Sequence, residues 1–116
     1  VNSARFSIAL LFVLLAGCAS DPAPHEQLRL SEVALVQARA VGAGEEQAEL
    51  ALAQGKYEQA RAALAAGRHK EARLLAEQAE LDAQLAEAQL LIQKSNKQVA
   101  ALEQQVGALR QQLEAL

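Results

Sequence analysis

No proline follows Pro24, and nothing from residue 69 to residue 116 interrupts a helix. Proline lacks a backbone donor and breaks helices, so a long stretch without it leaves continuous helix available. Ala, Leu, Glu, Gln, Arg and Lys dominate that stretch, the composition of long helices and coiled coils. No segment alternates as a strand would. The expected fold class is all-α: a helical hairpin leading into a long C-terminal helix with coiled-coil heptads.

The heptads are explicit. Leu81, Ala88, Ser95, Leu102, Leu109 and Leu116 recur every seven residues, and Leu85, Ile92, Val99, Val106 and Leu113 interleave with them. These sets are the d and a positions of a coiled-coil seam. Leu74 and Gln78 extend the pattern upstream less cleanly, and Gly107 lies off the seam. β-Branched Ile92, Val99 and Val106 at a, with leucine at d, favour parallel two-stranded coils. The flanking positions are rich in glutamine, so charge does little to select a partner. At 1.5 Å per residue such a helix reaches about 70 Å.

Two shorter helices are expected upstream. The first covers 26–41, with an apolar stripe of Leu28, Val33, Val36 and Ala40. Gly42-Ala43-Gly44 ends it, since glycine suits the left-handed cap. Glu45 and Glu46 then stand where negative charge favours a helix N-terminus. The second helix places Leu50, Ala53, Tyr57, Ala60 and Leu64 on one face. The stretch 53–61 is echoed twelve residues later by 65–73, each with a glycine, a base, a ring, an alanine and an arginine. Either Gly55 or Gly67 could mark the turn. Gly67 is preferred, because it leaves a second helix of 45–66 long enough to pair with a third. The domain plan is 1–17, a leader; 18–25, a proline-containing tether; 26–67, the hairpin; and 68–116, the long helix and its coiled-coil tail.

The leader has Arg5, then an apolar run, then small residues before a cut site, the plan of a secretory signal peptide. From Phe6 to Gly17 there are only about a dozen residues, short of the roughly 20 that span a bilayer. Leu15-Ala16-Gly17-Cys18 resembles the lipobox of bacterial lipoproteins. The resemblance implies cleavage between Gly17 and Cys18, diacylglycerol on the Cys18 sulfur and a third acyl chain on the new amino group. Ala19, rather than aspartate, follows Cys18, which by the rule of those lipoproteins directs the protein to the outer membrane, facing the periplasm. Acyl chains contribute roughly 0.8 kcal/mol per buried methylene, and two or more give stable anchoring. The membrane is therefore one expected partner, through lipid on Cys18.

Composition excludes several functions. Removing Arg5 with the leader leaves ten basic and fourteen acidic side chains, a net charge of −4. That supplies no basic surface for nucleic acid. Tyr57 becomes the single aromatic, so no stacking platform for bases exists. Cys18 is the only cysteine and has no disulfide partner. His25 and His69 lack acidic or thiol neighbours at ligand spacing, and read as a tether residue and a helix-start residue. Ser20, Ser31 and Ser95 lack the glycine-flanked elbow of a serine nucleophile. Glu77, Glu80, Asp82 and Glu87 read as a solvated face, with Arg73 able to pair with Glu77 one turn on. Tyr57 reads as the largest core side chain. No catalytic residue, metal, cofactor or small-molecule substrate is expected.

The segment 59–67, Gln-Ala-Arg-Ala-Ala-Leu-Ala-Ala-Gly, and the segment 72–88, beginning Ala-Arg-Leu-Leu-Ala-Glu-Gln-Ala-Glu, resemble a family of Gram-negative lipoproteins. The family's alanine-rich helical domain has no assigned function, and members often carry an OmpA-like peptidoglycan-binding domain. The resemblance implies the cell envelope as location and carries over no catalytic residue. Gly67 to Ala72 also resembles the turn of a tetratricopeptide repeat, although such arrays need several copies to bury a core.

The functional expectation is an outer-membrane-anchored periplasmic lipoprotein with a structural or adaptor role. Its heptads would pair with a second copy or with another envelope protein. The plan resembles that of the major murein lipoproteins, but those end in a lysine joined to peptidoglycan, and Leu116 stands here instead. The alternative is a regulator or recruiter of a periplasmic cell-wall enzyme; a tetratricopeptide-like interaction module ranks behind both.

Overall fold

The computed structural model describes residues 21–44 and 46–116, which form three helices. Helix α1 is His25–Ala40, α2 is Ala48–Ala65 and α3 is His69–Glu114. Residues 1–20, which hold the expected leader with Gly17 and Cys18, and Glu45 lie outside the described residues.

Both turns are built by the same local device. Gly42 and Gly67 adopt φ of 98° and 73°, the left-handed region that only glycine enters without cost. After α1, the Gly42 and Ala43 amides donate to Arg39 and Ala38 carbonyls at 2.9 and 3.0 Å. After α2, the Gly67 and Arg68 amides donate to Leu64 and Ala63 carbonyls, both at 2.9 Å. Each is a Schellman motif closing the helix on its own last carbonyls. The turn therefore falls at Gly67, while Gly55 is an exposed interior residue of α2. A Cβ at Gly67 would meet no other atom, so Gly67→Ala carries only the backbone penalty of the left-handed conformation. A loss of about 1–2 kcal/mol is expected, read by urea denaturation, while Gly55→Ala should stabilise α2 by about 0.5–1 kcal/mol.

The helices run up, down and up. Gln27 Nε2 donates to Glu80 Oε2 at 2.6 Å, and Lys94 Nζ donates to the Val41 carbonyl, so α1 runs parallel to α3. Helix α2 returns antiparallel, with Lys56 on Asp82 at 2.6 Å and Gln89 Nε2 donating to Glu49 Oε1 at 3.3 Å. The Lys56–Asp82 pair is mostly shielded from solvent and ties the middle of α2 to α3.

Alanine dominates the core. Helix α3 buries Ala72, Ala76, Ala79, Ala83 and Ala86, and α2 buries Leu50, Ala53, Ala60 and Ala63. One cluster joins Ala34, Leu35, Ala38, Ala43, Leu50, Ala53, Ala83 and Ala86; a second joins Leu28, Ala60 and Ala76. Half-buried Tyr57 packs against both, as the largest side chain in the interior. Small side chains let the helix axes approach closely, so dense packing replaces bulk as the source of cohesion. The core extends from Leu28 to Leu90; beyond it α3 continues alone as an arm.

Two expectations need correction. The buried stripe of α1 is Leu28, Ser31, Ala34, Leu35 and Ala38, not Leu28, Val33, Val36 and Ala40. Val36 is 59% exposed and Val33 40%. Ser31 can be buried because its hydroxyl donates to the Leu28 carbonyl at 2.8 Å, and its small size admits the neighbouring helices. Helix α2 begins at Ala48 rather than Glu45. Gln47 is extended at φ −80°, ψ 120°, and Glu49, not Glu46, supplies the first-turn charge.

Candidate interaction surface

Helix α3 carries two seven-residue frames on opposite faces. With the a and d positions as defined by the heptads, Ala72, Ala79 and Ala86 fall at b, and Ala76, Ala83 and Leu90 fall at f. The b/f face lies roughly half a turn from the a/d face at 100° per residue. The alanine face turns inward onto α1 and α2; the leucine face turns outward. Past Leu90 the inner frame dissolves into Gln93, Lys97, Gln104, Gly107 and Gln111. That is where α1 ends, with Gly42 facing Leu90 and Lys94. The outer frame continues to Leu116.

The structure thus brings Leu81, Leu85, Ala88, Ile92, Val99, Leu102, Val106, Leu109, Leu113 and Leu116 onto one exposed face. Ile92 is 60% exposed and Leu113 70%. None belongs to the core clusters. Leu91, at the neighbouring g position, is also exposed and widens the face, and exposed Leu74, one heptad upstream, lengthens it. A shallow groove of about 400 Å³ is lined by Val99, Leu102, Glu103, Val106, Gly107 and Arg110. From Lys94 to Glu114 the arm projects about 30 Å beyond the hairpin.

The inner alanine frame was present in the sequence at the same seven-residue spacing as the leucines. Its signal is weaker because alanine occurs on every face of such a chain. Leu91 was similarly legible as an apolar residue beside the seam.

The opposite end of the unit sets charged side chains around exposed Leu74 and partly buried Leu75. Asp21 runs back to the α2–α3 turn, where its carbonyl oxygen lies 2.8 Å from His69 Nδ1. A cleft of about 780 Å³ opens there, lined by Asp21, Arg68, His69, Lys70, Leu74 and Leu75 among others. Arg68 is held by Glu71 at 3.1 Å. His69 is the first residue of α3, and His25 opens α1. No group of three metal-ligating side chains occurs among the described residues. Arg73 and Glu77 stand 3.9 Å apart on the solvated side of α3. Burial, reinforced by the Glu32 carboxylate, raises the Tyr57 phenol above its ordinary value, and the Arg61 guanidinium 5.9 Å from the ring centre opposes this. The phenol is therefore neutral at physiological pH and acts as packing. No described helix is long and apolar enough to cross a membrane.

These features define a class: an alanine-packed helical hairpin laid along one face of a long helix whose other face is apolar and open. The chain belongs to the family described as domain of unknown function DUF4398, which matches residues 26–102. It is similar to a DUF4398 family protein from Pseudomonas aeruginosa, whose crystal structure is 58% identical. That likeness covers 79% of this chain and 96% of that one, with a TM-score of 0.77. No curated protein matches the chain. The family span ends inside the arm, so it takes in the hairpin and the first part of the outer seam.

Proposed function

We propose that this protein is a periplasmic lipoprotein of the outer membrane that acts as a structural or adaptor element of the cell envelope. The observation that carries the reading is the arm. It holds a continuous apolar face some 30 Å clear of the hairpin, and that face has no partner among the described residues. An apolar face of this length on an exposed helix suits an interaction with another helix.

The sequence supplies the rest. Leu15-Ala16-Gly17-Cys18 supports lipid attachment, and Ala19 supports the outer membrane. Asp21 lies against the α2–α3 turn, so a lipid on Cys18 would hold that end of the unit near the bilayer. The tip of α3, about 69 Å further along the helix, would then stand off from it. A tethered post with a sticky upper half suits spacing or linking of envelope components.

Processing in cells tests the anchor. Cys18→Ala should leave a precursor that retains its leader, and Ala19→Asp should move the protein to the inner membrane. Mass spectrometry of the natural form finding a free Cys18 thiol would reject the lipoprotein reading. Crosslinking in cells through the arm, followed by identification of the captured chain, tests the adaptor role.

A further inference from the structure

The outer face of α3 can be covered without disturbing α1 or α2, because those helices occupy the opposite face. We propose that its occupant is a second copy of this chain, aligned parallel and back to back, with the two hairpins outermost. This names the partner of the surface on which the proposed function rests.

Area supports a specific contact. The seam from 81 to 116 is about 52 Å long and about 10 Å wide, roughly 500 Å² on each copy. Two copies together bury about 1,000 Å², the size at which a specific interface begins. The roughly 500 Å² left open on one copy is at the upper end of what monomers expose, and patches of that size are often functional.

Side-chain identity supports the alignment. Ile92, Val99 and Val106 occupy a, and Leu102, Leu109 and Leu116 occupy d, the arrangement that parallel pairs prefer. Parallel alignment sets each g position against the e position five residues on. Gln84 then faces Gln89, whose amide already donates to Glu49 of its own α2, while Gln98 meets Glu103 and Gln105 meets Arg110, so no like charges oppose. Upstream, Glu77 would face Asp82, which is already held by Lys56; pairing therefore begins near Leu81. An antiparallel pair over residues 99–116 would set Glu103 against Arg110. That surface pairing is weak, and the alignment gives up Leu81, Leu85 and Ile92. It also carries the two tethers to opposite ends of a rod. Parallel pairing keeps both tethers at one end, as attachment to one surface requires, and such attachment raises the effective concentration of the arms. The inner alanine frame and the outer leucine frame then have separate duties on one helix: one closes the monomer, the other joins two.

Residues 21–116 are suited to the test. The core lies wholly between Leu28 and Leu90, and the crystallised relative, 96% covered by the match, shows that a chain of this extent folds. The fragment also contains no cysteine of its own. Sedimentation should show a monomer–dimer equilibrium, with Val106→Asp weakening association at least about a hundredfold while helix content per chain is kept. On mild oxidation Ser95→Cys, a near-isosteric change at d, should yield a disulfide-linked dimer, and Lys97→Cys, on the f face, should not. A monomer at every concentration, with no Ser95→Cys crosslink, overturns the proposal. So does a dimer that crosslinks only when Val99→Cys is mixed with Leu116→Cys, which reports antiparallel pairing. Either result leaves the lipid anchor standing, since Cys18→Ala processing reads that separately.

Discussion

Leu50→Ala lowers the stability of the helical unit by about 2–5 kcal/mol. Leu50 has no exposed surface and is the largest fully buried side chain among the described residues. Its neighbours Ala34, Ala38, Ala53, Ala83 and Ala86 are small. Alanine cannot rotate to fill a void, and only Leu35, Tyr57 and Leu90 around the same cluster can relax into part of it, so a residual cavity adds to the cost. Domains are stable by only about 5–15 kcal/mol in total, and each kcal/mol is worth about 4–8 °C in a domain of this size. Urea and thermal unfolding followed by helical circular dichroism, at low protein concentration, check the expectation. Leu109→Ala serves as control. That residue is 59% exposed on the arm, and its loss should change monomer stability by less than about 0.5 kcal/mol.

Ala83→Leu damages the same core from the other direction. Ala83 is fully buried on the inner face of α3 and shares a cluster with Leu35, Leu50 and Ala86. Three added heavy atoms have no space between helices that alanine has drawn together. Overpacking costs about 1–3 kcal/mol, occasionally more, and here it must move α1 or α2 outward. The neighbouring Gln84→Leu adds a similar apolar group to an exposed position and should leave the unfolding midpoint within about 0.5 kcal/mol. A loss at Ala83 as small as that at Gln84 would mean that the alanine face is not closely packed.

The proposed anchor sequence and the proposed interaction surface differ in how they could be read. Leu15 to Cys18 is a local motif, legible without any fold, and its residues lie outside the described structure. The outer seam was legible as a heptad because large aliphatic residues stand out against glutamine. What the sequence did not reveal was that the seam from Leu81 to Ile92 runs back to back with the hairpin, on a helix whose other face is also a heptad. On α1 the same ambiguity misled. Val33 and Val36 are more hydrophobic than Ser31 and Ala38, yet the latter are buried.

That the chain is helical, that it turns at Gly42 and that its last helix runs to the end was legible in the residues alone; for the second turn Gly67 was preferred over Gly55, and the structure chose between them. Those outcomes are local: helix propensity summed over long windows, left-handed glycines at 42 and 67, and the absence of proline after Pro24. Which face each helix turns inward was settled by the packing of the three helices together. Helices α1 and α3 each offer two apolar stripes, one richer in small residues than the other. Three helices packed side by side gain most when their axes come close, and alanine and serine permit that approach where leucine and valine hold it off. The face richer in small residues was therefore buried on each, with Leu28 and Leu35 filling the remaining space on α1, while Val33, Val36 and the leucine seam of α3 were left on the outside.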